Sequence, residues 1–112
     1  MDSYKVIISP KALSQLEEYI AYIRYTLLND QAAKAVWDDA VETAEKLETV
    51  AGSLKFCDDP DLKALGYRKL SFTRHRYIML YRIENQTAYV DAVYHQLQDY
   101  ENTFSDLISD EK

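Results

Sequence analysis

The chain is poor in the residues that break or staple a backbone. It holds one cysteine, two glycines and two prolines in 112 positions, and each scarcity excludes something. A lone Cys57 forms no internal disulfide, and no Cys or His stands around it at metal-ligand spacing, so the fold must rest on its apolar core with no metal and no cofactor expected. So few glycines leave no phosphate-cradling loop, no flexible linker and no low-complexity tract. No internal repeat of solenoid length is present. No apolar run follows Met1-Asp2-Ser3 or is long enough to span a bilayer, so a cytoplasmic protein without signal peptide or membrane contact is expected.

What is present is a chain 47% hydrophobic, enough for one core, and a single domain over residues 1–112 is expected, with 96–112 as C-terminal helix and tail. The net charge is −6, which argues against broad binding to nucleic acid, an affinity that comes chiefly from Lys and Arg on phosphates. The charge is uneven. Residues 1–64 carry a net −5, residues 65–95 a net +3 and residues 96–112 a net −4. A cationic segment between two anionic ones points to an acidic partner or a polyanion.

Tyr4-Lys5-Val6-Ile7-Ile8 is β-branched and reads as a first strand. Ser9-Pro10 then supplies an N-cap and a proline at the first helical position. Leu13, Leu16, Ile20, Ile23 and Leu27 follow at helical steps, and Asn29-Asp30 breaks the pattern and caps a second helix. There Ala33, Trp37, Ala40, Ala44, Leu47, Ala51 and Leu54 make the apolar stripe, while Asp38, Asp39, Glu42, Glu45 and Glu48 form an anionic solvated face. So short a connection predicts an antiparallel helical hairpin. Gly52 is expected to end the second helix and Lys55 to Lys63 to be a loop. Tyr67 to Thr73, Arg76 to Ile83 and Thr87 to Tyr94 read as three successive strands, with Glu84-Asn85-Gln86 as a turn. Leu97, Tyr100, Phe104 and Leu107 predict a C-terminal helix over Gln96 to Ile108. The order is β-α-α-β-β-β-α, an α+β domain with the hairpin on one face of a four-stranded, mainly antiparallel sheet.

Alternation in the last strand puts Ala88, Val90, Ala92 and Tyr94 toward the helices, and Asp91 with His95 on an open face about 13 Å apart, too far for an acid–base pair. His95 is the candidate for proton transfer near neutral pH. Arg68, Lys69, Arg74, Arg76 and Arg82 are candidate phosphate clamps, with Tyr67, Tyr77, Tyr81 and Tyr89 beside them for stacking or for filling the sheet. No Ser-His-Asp order or HExxH helix occurs.

Three segments, YKVIISPKALSQLEEYIAYI, LGYRKLSFTRHRYIMLYRI and YVDAVYHQLQDYENTF, cover nearly the whole chain, and together they resemble the RelE/ParE family of bacterial type II toxins. The resemblance implies a growth-inhibiting toxin of the plasmid-stabilisation kind, held inactive by a cognate antitoxin whose acidic C-terminal segment wraps it. Arg68, Lys69, Tyr81 and Arg82 are then the expected partner-binding residues. The RelE-like branch cuts mRNA on the ribosome; the ParE-like branch poisons DNA gyrase. The ribonuclease branch places an Arg where this chain has Ile78, and Val93-Tyr94-His95 followed by Asp99 is similar to the ParE end, so action on gyrase is the favoured expectation. The alternatives are a metal-independent, ribosome-dependent endoribonuclease using His95, Arg76 and Arg74, and an inactive relic that only binds antitoxin.

Overall fold

Ser9 and Pro10 begin the first helix by the expected device: the Ser9 hydroxyl accepts the Ala12 amide at 3.0 Å and Pro10 occupies the first turn. The computed structural model describes residues 3–110; positions 1–2 and 111–112, the last of the expected tail, lie outside the described residues. The elements run β1 (Lys5–Ile8), α1 (Pro10–Ala21), a π-helical turn (Tyr22–Thr26), α2 (Asp30–Val50), a 3-10 turn (Ala51–Ser53), α3 (Pro60–Ala64), β2 (Arg68–Ser71), β3 (Tyr77–Glu84), β4 (Thr87–His95) and α4 (Tyr100–Asp110). The sheet order is β1-β4-β3-β2, with β1 parallel to β4 and the other pairs antiparallel. Asn85 and Gln86 both take positive φ in the β3–β4 turn, as a tight hairpin demands. Among the described residues no helix is long and apolar enough to cross a membrane.

The expected helical stripes hold at Leu16, Ile20, Ala33, Ala40, Leu47 and Ala51, and depart at their margins. On α1 the buried side chains are Ala12, Leu16 and Ile20, while Leu13 is partly exposed and Leu27 more than half exposed. The π turn inserts a residue into the helical phase and carries Leu27 outward. On α2 the buried face is Ala33, Val36, Asp39, Ala40, Thr43 and Leu47, and Trp37 lies at its margin. α4 begins at Tyr100 rather than at Gln96, so exposed Leu97 precedes it; among its described residues Phe104 and Ser105 are buried, Tyr100 and Ile108 pack partly and Leu107 faces outward.

The larger correction concerns the sheet. The β3–β4 register pairs Leu80 with Ala92 and Tyr81 with Val90, leaving Asp91 as a bulge residue. A bulge reverses the alternation beyond it. Ala88, Val90 and Val93 therefore join the core under the hairpin, whereas Ala92 and Tyr94 join a second core with Cys57, Leu62, Tyr67, Ile78, Leu80 and Phe104. The face expected to be open is covered by α3 and α4. The segment expected as a loop contains α3, capped by Asp59, whose carboxylate accepts the Asp61 and Leu62 amides.

Gly52 does not end α2, which passes into the 3-10 turn at Ala51. Its role is space: a Cβ there would lie 2.1 Å from the Tyr4 hydroxyl. Tyr4 is buried in the main core and its amide donates to the Glu48 carbonyl at 2.8 Å, so the ring has little freedom to retreat. Gly52→Ala is expected to cost about 1–3 kcal/mol through overpacking, read as a lower denaturation midpoint with an unchanged slope. A variant as stable as the parent would show that Tyr4 yields freely.

Candidate functional site

Most of the cations expected to form one engagement surface are held by partners inside the fold. Arg68 donates to the Leu54 carbonyl at 2.5 Å, reaches the Gly52 carbonyl at 3.4 Å and lies over the Phe56 ring. It thereby gives a partner to a carbonyl of the 3-10 turn and to the one just after it. Lys69 is bound to Glu101 at 2.8 Å and Asp58 at 3.5 Å. Burial alone would lower its pKa, but the Glu101 and Asp58 carboxylates outweigh that and hold the ammonium above its ordinary value. Arg82 pairs with Asp91 at 3.1 Å and Glu84 at 2.7 Å and covers the Tyr89 ring. Asp91 also accepts the Tyr67 hydroxyl at 2.7 Å, which, after burial, helps to raise that phenol's pKa. Tyr81 is fully buried and donates to the Ala51 carbonyl at 2.7 Å; burial pushes its pKa up to about 12. Arg68 and Lys69 alternate to opposite faces of β2, so the expected partner-binding set does not form one surface.

His95, Arg76 and Arg74 do lie at the same end of the sheet, where β3 begins and β4 ends. Among the described residues no hydrogen bond or ion pair joins any two of these side chains. The His95 ring stands edge-on to Tyr77, and its Nδ1 accepts the Leu97 amide at 3.1 Å, leaving that nitrogen occupied as an acceptor. The bulge also separates it from Asp91: Tyr77 packs on the hairpin core, whereas Asp91 binds Tyr67 of the second core. Ile78, where the ribonuclease branch places its Arg, is buried in that second core.

Two features escaped the sequence reading. The first is Asp39, expected on a solvated face but with no exposed surface. Its carboxylate accepts the Thr73 amide at 3.1 Å, the Arg74 amide at 2.9 Å and His75 Nδ1 at 2.7 Å, fixing the β2–β3 loop to α2. Burial alone would raise its pKa; the bonds from His75, Arg74 and Thr73 outweigh this and hold it below the usual carboxylate range. The signal was available, since Asp39 shares a helical face with Val36, Ala40 and Thr43. The second is a groove of about 330 Å³ beside β1, lined by Val6, Ile8, Leu13, Trp37 and Val41 with Glu45 and Glu48 on its rim. β1 stands at the end of the strand order, so one side of its backbone ladder is unpaired beside this groove.

The structure is thus a small α+β domain with a helical hairpin across a mixed sheet and an apolar groove beside its edge strand β1. The model of the family described as the ParE toxin of type II toxin-antitoxin systems, parDE, matches residues 6–100, and the chain belongs to that family. Its members pair with antitoxins. Among solved structures, a chain of the chromosomal ParDE system from P. aeruginosa shares 21% identity at a TM-score of 0.68, covering 83% of this chain and 96% of that one. The isolated E. coli RelE toxin shares 15% identity at a TM-score of 0.46, covering 98% of this chain and 100% of that one. No curated protein matches the sequence.

Asp39→Asn is expected to cost about 2–3 kcal/mol by weakening a charged acceptor that three donors share. Because the folded carboxyl titrates below its unfolded value, its contribution is complete above about pH 4 and is lost as pH falls through the folded pKa. Denaturant titrations at neutral and strongly acidic pH should show a smaller acid loss in Asp39→Asn than in the parent. Equal losses would remove Asp39 as the cause.

Proposed function

We propose that this type II toxin inhibits growth by binding DNA gyrase, and that its antitoxin is received by the groove beside β1. The observation that carries the first part is the internal pairing of Arg68, Lys69 and Arg82. Cutting RNA without a metal requires unpaired cations around the scissile phosphate and a base in reach of the ribose hydroxyl. On the sheet these three cations are committed to the fold and Arg74 is paired with Glu42, so Arg76 alone of the candidate arginines stands exposed without a side-chain partner among the described residues; His95 Nδ1 is occupied and Ile78 is buried in the second core. Inhibition through a protein contact asks for none of them.

The groove supports the second part. An extended segment pairing with β1 would gain main-chain hydrogen bonds, and its alternate side chains would drop between Leu13, Trp37 and Val41. The rim carboxylates Glu45 and Glu48 favour Lys or Arg at the segment's margin rather than the acidic segment expected from the basic stretch and the family resemblance.

Purified toxin is expected to inhibit supercoiling by purified gyrase and to leave mRNA uncut when 5′ ends are mapped in a translating extract. New toxin-dependent 5′ ends with uninhibited gyrase would reverse the assignment; neither effect, with normal growth on induction, would indicate a protein that only binds antitoxin. Val41→Asp, which sets a third carboxylate in the groove, is expected to weaken the cognate antitoxin by about 2 kcal/mol or more, the scale of a central interface anchor. Unchanged affinity by titration calorimetry would place the antitoxin elsewhere.

A further inference from the structure

Where β2 turns into β3, the molecule gathers cations that are not buried in its own sheet. Asp39, Glu42 and Lys46 follow at helical steps on one side of α2, and the loop from Phe72 to Arg76 runs against them. Asp39 holds the Thr73 and Arg74 amides and the His75 ring. Glu42 pairs with the Arg74 guanidinium, and Lys46 Nζ donates to the Thr73 hydroxyl at 2.6 Å. At the far end the Gln96 amide donates to the Arg76 carbonyl at 2.8 Å. The Arg76 side chain is exposed and has no hydrogen bond or ion pair among the described residues. Arg74 and Lys46 are exposed as well. A loop pinned at so many points presents its cations with little ordering left to be done on binding.

We propose that this loop binds the phosphodiester backbone of duplex DNA through Arg76 and Lys46, with Arg74 held beside them by Glu42. The chemistry is that of phosphate, for which forked guanidinium donors are suited. The choice of a duplex over a single strand rests on what stands beside the cations. Single strands are held largely by bases stacked on aromatic rings, but Phe72 is buried and Tyr77 is packed between Tyr19, Phe72 and His95. A duplex needs no such platform, since its phosphates alone set position. The net charge of −6 does not forbid this. Nearby Asp38 is tied to Lys34, Glu42 to Arg74, and Asp39 is enclosed with His75, while carboxylates beyond about 8 Å are screened at physiological salt.

Two phosphate contacts give weak, salt-sensitive binding, with a slope of log K on log salt of about −1.8. The test is fluorescence anisotropy of a short labelled duplex against the free toxin chain, from low to physiological salt. Arg76→Gln removes a charge whose side chain has no partner among the described residues, so the fold should keep its melting temperature. Affinity at about 0.1 M salt should fall about eightfold and the slope lose about 0.9. Lys46→Gln should act alike. No duplex binding at low salt, binding indifferent to both substitutions, or tighter binding of single-stranded RNA of equal length would overturn the proposal. Duplex binding is read without gyrase, so its failure and a failure to inhibit supercoiling are separate results.

Discussion

One extra residue in β4 decides how this small chain builds its interior. With Asp91 left unpaired between Val90 and Ala92, the strand sends Ala88, Val90 and Val93 to one side and Ala92 and Tyr94 to the other. A regular strand would have set Ala92 and Tyr94 under the hairpin and left Val93 outside it. The second face would then have lacked the apolar floor on which Phe104 and Leu62 sit. The bulge residue is itself secured: Tyr67 donates to Asp91 from the end of the α3 connection and Arg82 from β3. The interaction that pays for the irregularity thus uses one cation of the apparent basic island.

The same economy runs through the other charged groups. Arg68 ties β2 to the Leu54 carbonyl just past the 3-10 turn, and Lys69 ties β2 to α4 through Glu101, whose second oxygen accepts the Asp59 amide at 2.8 Å. A small sheet covered by helices on both faces has many unpaired backbone groups at its corners, and long cationic side chains reach them. The net +3 of residues 65–95 is therefore mostly structural charge. What remains at the β2–β3 loop is smaller, but it is anchored to a buried carboxylate.

The elements that local chemistry specifies were legible. Ser9-Pro10, Asn29-Asp30 and the Asn85-Gln86 turn each act within three or four residues, and the strand and hairpin order followed from them. Asp59-Pro60 repeats the Ser9-Pro10 device, and its helix was missed because the surrounding aspartates look like a loop. The bulge could not be read, because it is a property of the β3–β4 pairing, and the alternation of β4 taken alone is equally good on either side of it. Asp39 was missed because it sits in a run of carboxylates, where composition suggests solvent and only helical phase shows the inward direction. His75 gave no signal at all, since its partner lies 36 positions away. The β1 groove is lined from β1, α1, α2, β3 and β4, so no single segment carries its pattern.

Helical phase on α2 also separates the two surfaces. At 3.6 residues per turn, Trp37, Val41, Ala44 and Glu48 fall within an arc of about 60°, and Asp39, Glu42 and Lys46 are centred roughly 160° away. On the inner side, Val36, Ala40, Thr43 and Leu47 fill the gap and are buried. On the outer side the gap holds Asp38 and Glu45, both exposed. A segment seated in the groove would have to cross this anionic ridge to cover the β2–β3 loop, and crossing would set it against carboxylates with few apolar contacts in return. The acidic face of α2 is in that sense a divider, and occupancy of the groove leaves the loop cations where the fold holds them.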